Sequence, residues 1–218
     1  MLSVVFNHDG GLRPLNVLCL GAHSDDIEIG CGGAILRLGQ EYPRSCFTWI
    51  VFSADGHRAD EARRSASAFL ANAAEKAVIV NGFRDGFFPY TAVEVKEYFE
   101  ELKHQLSPDL IFTHHREDLH QDHRLIAELT WNTFRNHLIL EYEIPKYDGD
   151  FGSPNFFVQL DEALSRQKTS YLTKYFNTQG NRHWFTAETF LSVLRLRGVE
   201  SRAPGGFAEG FYCRKLAF

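Results

Sequence analysis

The sequence predicts a single-domain α/β fold, a mostly parallel sheet with helices on both faces. Three observations carry this expectation. Short runs rich in β-branched and aromatic residues alternate with amphipathic stretches through the first half of the chain, the pattern of right-handed strand–helix–strand crossovers. The length of 218 residues suits one domain and allows burial of roughly 70% of the unfolded surface. No internal repeat, low-complexity tract or linker interrupts the chain.

The elements follow in order. Residues 15–21 form a short apolar run ending in Gly21 and read as a buried strand. Residues 31–39 read as a short helix stopped near Gly39 and Pro43. Residues 46–53 are aromatic and β-branched, a second strand. The Ala-rich stretch 59–74 is helical, 77–80 a third strand, and 93–106 an amphipathic helix closed by Ser107-Pro108. Residues 109–113 make a fourth strand and 121–137 a helix. The second half is less regular. Strands are expected at 138–144, 156–160 and 210–217, helices at 162–176 and 186–197, and a loop at 146–154. The sequence thus reads as one domain over 1–218, with a core at about 14–137 and a C-terminal part, 138–218, completing sheet and cleft.

Composition excludes several function classes. With 44% hydrophobic and 23% charged residues the chain is neither disordered nor collagen-like. The net charge is −5 with scattered Lys and Arg, so no basic footprint for nucleic acid is visible. No apolar run approaches the ~20 residues of a membrane span. The first ten residues lack a basic region and a long apolar stretch, and read as no secretory signal. Four cysteines without a Cys-x-x-Cys pair argue against a disulfide framework. A cytoplasmic location is therefore expected. The 14% aromatic content leaves room for an apolar interface in a homo-oligomer.

Ligands of open parallel sheets bind beyond the carboxyl ends of the strands. Two polar clusters fall at such positions, Gly21-Ala-His23-Ser-Asp25-Asp26 after the first strand and His114-His115-Arg-Glu-Asp118-Leu-His120-Gln-Asp122-His123 after the fourth. A catalytic zinc takes three His or Asp ligands at about 2.0–2.2 Å and keeps one position open. His23 and Asp26 can supply two ligands, and His123 can complete the set while His120 stays free. Asp25 is then an unligated carboxylate beside the metal, as a general base must be.

His23-Ser-Asp25-Asp26-Ile-Glu28-Ile-Gly30 together with His120-Gln-Asp122-His123 resemble the paired motifs of the PIG-L (LmbE-like) zinc-dependent N-deacetylases. The likeness extends to Arg58-Ala-Asp-Glu61, Gly82-Phe-Arg84-Asp85-Gly86 and Phe207-Ala-Glu209-Gly-Phe211, and departs where the family usually has Pro and this chain has Ser24. The resemblance implies a Rossmann-like fold and one zinc per chain, held by His23, Asp26 and His123. It implies Asp25 as general base, His120 facing the substrate carbonyl, and Asp122 orienting an imidazole. Arg58 and Asp85 would contact the sugar. The implied reaction is hydrolysis of an N-acetyl group on an N-acetylhexosamine or its conjugate. Its oxyanion would be stabilised by the metal and a protonated His120, and the leaving amine would take its proton from His120 or Asp25.

Plainer roles stand beside these. Asp25 and Asp26 could cap a helix, as could Glu117 and Asp118. His114 and His115 could serve a second metal, as in a phosphoesterase, or line the cleft. The glycines 30, 32 and 33 suit close helix packing better than a dinucleotide fingerprint, although a non-catalytic sugar- or nucleotide-binding module is a third reading. Residues 87–90 and 183–185 could stack on a sugar or simply pack.

Overall fold

The computed structural model describes residues 4–6 and 13–217. Most of the N-terminal stretch read as lacking a signal lies outside the described residues. Seven strands form one sheet in the order β3-β2-β1-β4-β5-β7-β6. They are β1 (Asn16–His23), β2 (Cys46–Ser53), β3 (Glu75–Val80), β4 (Leu110–His114), β5 (Leu138–Tyr142), β6 (Phe156–Leu160) and β7 (Phe207–Cys213). The pairings among β1 to β5 are all parallel, and β7 runs antiparallel to both its neighbours.

Six helices cover the faces: α1 (Asp26–Glu41), α2 (Gly56–Phe69), α3 (Ala92–Gln105), α4 (Gln121–Thr133), α5 (Glu162–Tyr175) and α6 (Ala187–Glu200). The two-residue period of β1 divides the core. Val17 and Cys19 pack with α1, α2, α5 and α6, whereas Leu18, Leu20 and Ala22 pack with α3 and α4. Burial on both faces explains why β1 reads as a continuous apolar run.

Helix α1 begins at Asp26, five residues before the expected start at 31. Four glycines in its span lower its local helix propensity, while Asp26 and Glu28 in the first turn suit the helix dipole. Packing demands those glycines. A Cβ at Gly30 would lie 2.1 Å from the Tyr142 ring, and one at Gly33 would lie 2.4 Å from Leu160. Helix α2 stops at Phe69 rather than 74, because Ala74 N–H already bonds the carbonyl of Ser45 at 3.0 Å to lead into β3. Helix α4 stops at Thr133, leaving the chain free to turn into β5. The last strand starts earlier than expected, at Phe207.

A buried ion pair ties the middle of α1 to later parts of the chain. Glu209 on β7 accepts from the N–H groups of Gly33 and Ala34, both at 2.7 Å. Lys168 on α5 donates to Glu209 at 2.6 Å and to the carbonyl of Ile29 at 2.5 Å. No helix among the described residues is long and apolar enough to cross a membrane. All four cysteines are free thiols.

Candidate metal centre

The strand order reverses direction between β1 and β4, which opens a crevice at their carboxyl ends. His23 is the last residue of β1, and the turn after it carries Ser24 and Asp25 before α1 opens with Asp26. Strand β4 ends at His114, and a short loop leads to His120, the N-cap of α4, with Asp122 and His123 in its first turn. Two segments a hundred residues apart therefore meet over the crevice.

Three acceptor atoms converge there. His23 Nδ1 lies 3.2 Å from His123 Nε2 and 3.3 Å from Asp26 Oδ2, and His123 Nε2 lies 3.5 Å from the same oxygen. Tetrahedral zinc ligands at about 2.0–2.2 Å stand about 3.3–3.6 Å apart. The trio has the spacing of one tetrahedral face. The far side of each imidazole explains its orientation. His123 Nδ1 donates to Asp118 Oδ2 at 3.0 Å, so Nε2 carries the lone pair. His23 Nε2 faces Asp85 Oδ1 at 3.1 Å and Asp122 Oδ2 at 3.3 Å, which places its proton there and leaves Nδ1 as acceptor. Asp122 is itself fixed by the N–H groups of Gly86 at 2.7 Å and Phe88 at 3.1 Å. Three acceptors facing one point require a cation, a metal or a proton.

The ionisation equilibria agree. Burial, and then the neighbouring His114, lower the His123 pKa to about 4, so it is neutral at pH 7. Burial alone would lower His23, but the carboxylates of Asp122, Asp26 and Asp85 outweigh it and hold the imidazole well above its ordinary value. In the absence of a metal a proton occupies the point of convergence. Asp26 stays well below the usual carboxylate range, because His123 and His114 outweigh its desolvation. The donor set fits a zinc ion.

Asp25 occupies the N-cap position of α1, yet its side chain makes no capping hydrogen bond. Burial and the adjacent Asp26 raise its pKa to about 6, although Arg58, with Nη2 3.9 Å away, pulls it down. Arg58 on α2 also reaches Asp85 Oδ2 at 3.4 Å and donates from Nε to the Ser24 hydroxyl at 3.2 Å. The hydroxyl that replaces the family's usual proline thus anchors Arg58. The Asp85 side chain is 54% exposed, at the mouth of the crevice, and contact with His23 lowers its pKa to about 2.

His120 Nδ1 accepts the N–H of Asp122 at 3.3 Å, and burial together with His23 lowers its pKa. With Nδ1 engaged as an acceptor, the ring carries a proton on Nε2. The ring lies beside those of His23 and His123, with centroids 4.9 and 4.5 Å away. Donor atoms fall into three overlapping sets: His23, His120 and His123; Asp26, His114 and His123; and His23, Asp85 and Asp122. Because the sets share His23 and His123, they describe one centre.

The other candidates divide. His114 is fully buried, stacks on His123 at 3.9 Å and lies 3.2 Å from Asp26. His115 turns away to Glu141 and stacks on Tyr212, so the two neighbours do not build a separate second site. Phe88 is buried and stacks on His23, while Phe87 and Tyr90 are exposed. Phe185 packs into the core, and His183 meets Tyr147 at 5.3 Å between centroids. Asp118 is not the expected cap, because His120 holds the N-cap position of α4. Besides accepting the His120 N–H it binds His123 and Lys146, and these outweigh burial to hold its pKa well below the usual range. Sequence reasoning missed Lys146 and gave Glu28, although part of the first motif, no role. Glu28 is fully buried, and burial pushes its pKa well up.

Residues 18–134, more than half the chain, match the GlcNAc-PI de-N-acetylase (PIG-L) family. The chain belongs to that family. As a member of this deacetylase family it also resembles the uncharacterized deacetylase YaiS of Escherichia coli, at 27% identity over 170 residues, 73% of this chain and 89% of YaiS. Among solved structures, N,N'-diacetylchitobiose deacetylase of Pyrococcus horikoshii superimposes with a TM-score of 0.68 at 20% identity, covering 91% of this chain and 83% of that one. GalB of Pseudomonas putida, a 4-carboxy-2-hydroxymuconate hydratase, superimposes with a TM-score of 0.73 at 14% identity, covering 94% and 98%. A hydratase on the same scaffold means that the reaction must be argued from side chains rather than from the fold.

Proposed function

We propose that this PIG-L family deacetylase is a zinc-dependent hydrolase of the N-acetyl group of an N-acetylhexosamine-type sugar or glycoconjugate. One observation carries the reading. Acceptor atoms of His23, Asp26 and His123 converge at 3.2–3.5 Å, with the neighbouring Asp25 carboxylate left out of the ligand set. A zinc ion held by the three would polarise the acetyl carbonyl and lower the pKa of water towards about 7. Asp25, with a pKa of about 6, accepts the proton of the attacking water. His120, neutral with its proton on Nε2, donates a hydrogen bond to the carbonyl oxygen as negative charge develops. Asp25 then passes its proton to the leaving nitrogen, giving acetate and a free amine. In this reading Asp25 rather than His120 is the donor, because a neutral His120 has no second proton to give. Arg58 and Asp85 meet at the mouth and would grip sugar hydroxyls there.

The test is acetate release from a panel of N-acetylglucosamine, its β-linked dimer and aryl glycosides, with zinc content measured in the same preparation. The expected result is release from at least one glycoside at one zinc per chain, lost on chelation and restored by zinc. Turnover that survives complete metal removal refutes the proposal, as does a zinc-loaded chain that releases no acetate from any of them.

A further inference from the structure

Lys146 lies beyond the segment that matches the family, in the loop after β5, yet its ammonium reaches the carboxylate behind His123. It donates to Asp118 Oδ2 at 3.0 Å, the same oxygen that accepts His123 Nδ1–H at 3.0 Å. The second Asp118 oxygen accepts the His120 N–H at 2.7 Å. Lys146 also pairs with Asp150, which accepts the N–H of Leu119 at 2.8 Å. The side chains of Lys146 and Asp118 are 10% and 2% exposed, so the contact is screened little by water.

We propose that Lys146 and Asp118 form a positioning pair that fixes the metal-facing nitrogen of His123. The inference rests on the metal-centre reading above. A buried carboxylate with only an imidazole N–H and one amide as partners is under-compensated, and the lysine supplies the missing positive charge. The ionised Asp118 then fixes the His123 proton on Nδ1 and makes Nε2 a better electron donor, as carboxylates behind zinc histidines do. Asp150 and the Leu119 amide hold the lysine against the loop that leads into α4. Neither Lys146 nor Asp118 touches the reacting atoms; both act through His123.

The experiment uses the full chain, stripped of metal and titrated with zinc against a chromogenic chelator, and separately loaded with cobalt(II) for its visible spectrum. Asp118→Asn keeps the shape and removes the charge, while Lys146→Met keeps the stem and removes the ammonium. Each is expected to weaken zinc binding about 10–100-fold and to alter the cobalt band, with the fold intact by circular dichroism. The double variant is expected to bind zinc within about threefold of Asp118→Asn alone, as coupled neighbours do. Lys146→Gln gives the same reading should the methionine variant not fold. Losses that multiply in the double variant overturn the pair, as does a folded Lys146 variant with unchanged zinc affinity and cobalt spectrum. A parent chain that takes up no stoichiometric zinc, or a His123→Ala chain that takes it up unchanged, overturns the metal-centre reading and the pair together. That result is distinguishable from failure of the pair alone.

Discussion

Replacing Asp25 by asparagine should make the metal-free protein more stable and the enzyme nearly inactive. The carboxylate is 6% exposed, its pKa is raised from 3.8 to about 6, and its side chain makes no capping bond that the amide would forfeit. An acid held above its unfolded pKa binds its proton more tightly in the folded chain. Folding is therefore favoured while the acid is protonated, and that advantage disappears as the pH rises from 3.8 through about 6. At about 1.4 kcal/mol per pH unit, an ionised Asp25 costs the fold about 3 kcal/mol at neutral pH. A neutral amide in its place would carry no such cost. For a chain of this size the gain corresponds to roughly 6–12 °C in melting temperature. Paired thermal melts of the metal-free proteins from pH 4 to pH 8 measure it. The difference should be small at the acid end and largest above pH 6. Acetate release should fall by roughly 10²–10⁴ with zinc content unchanged. An Asp25→Asn variant that melts lower than the parent at pH 8 refutes the electrostatic argument, and one that keeps near-normal turnover refutes the base assignment.

Other outcomes follow from the same geometry. Because Arg58 lowers the Asp25 pKa, the acid limb of kcat/KM should move to higher pH in Arg58→Ala; a limb that stays put or moves down contradicts the contact. Zinc must displace the proton that three carboxylates hold on His23, so zinc affinity should climb with pH through the neutral range, measured by chelator competition at a series of pH values. His123→Ala should lose stoichiometric zinc by elemental analysis while retaining its circular dichroism spectrum. Gly30→Ala would drive a methyl group to 2.1 Å from the Tyr142 ring, and the resulting overpacking should cost at least about 1–3 kcal/mol by urea unfolding; an unchanged midpoint would show that the ring can yield.

The parallel sheet and the two polar clusters at its strand ends are legible in the sequence because both are local signals. Strand β2 reads from its aromatic and β-branched composition to the residue, and His23, Asp25 and Asp26 stand together where a strand gives way to a turn. Helix α1 was read short because its glycines serve contacts with Tyr142 and Leu160, which no propensity argument can see. Asp118 passed for a cap because its neighbours in sequence suggest one, whereas its decisive partner, Lys146, is 28 residues away. Asp85 and His23 meet across the crevice from separate segments. The lowered pKa of His120 depends on burial and on His23, and its tautomer on a turn of helix fitted to its Nδ1. Residue types announce the chemistry, but tautomers and second partners are set only once the chain has closed on itself.

The Lys168–Glu209 clasp on α1 has a consequence for the order in which the crevice is assembled. His23, Asp25, Asp26 and His123 all lie before residue 124, so a growing chain holds them before α5 and β7 exist. The helix that presents Asp26 is gripped at Ile29, Gly33 and Ala34 by Lys168 and Glu209, which emerge later. Those anchors can tighten on the helix only after strand β7 has been made, so the wall that carries Asp26 is among the last parts of the crevice to be fixed.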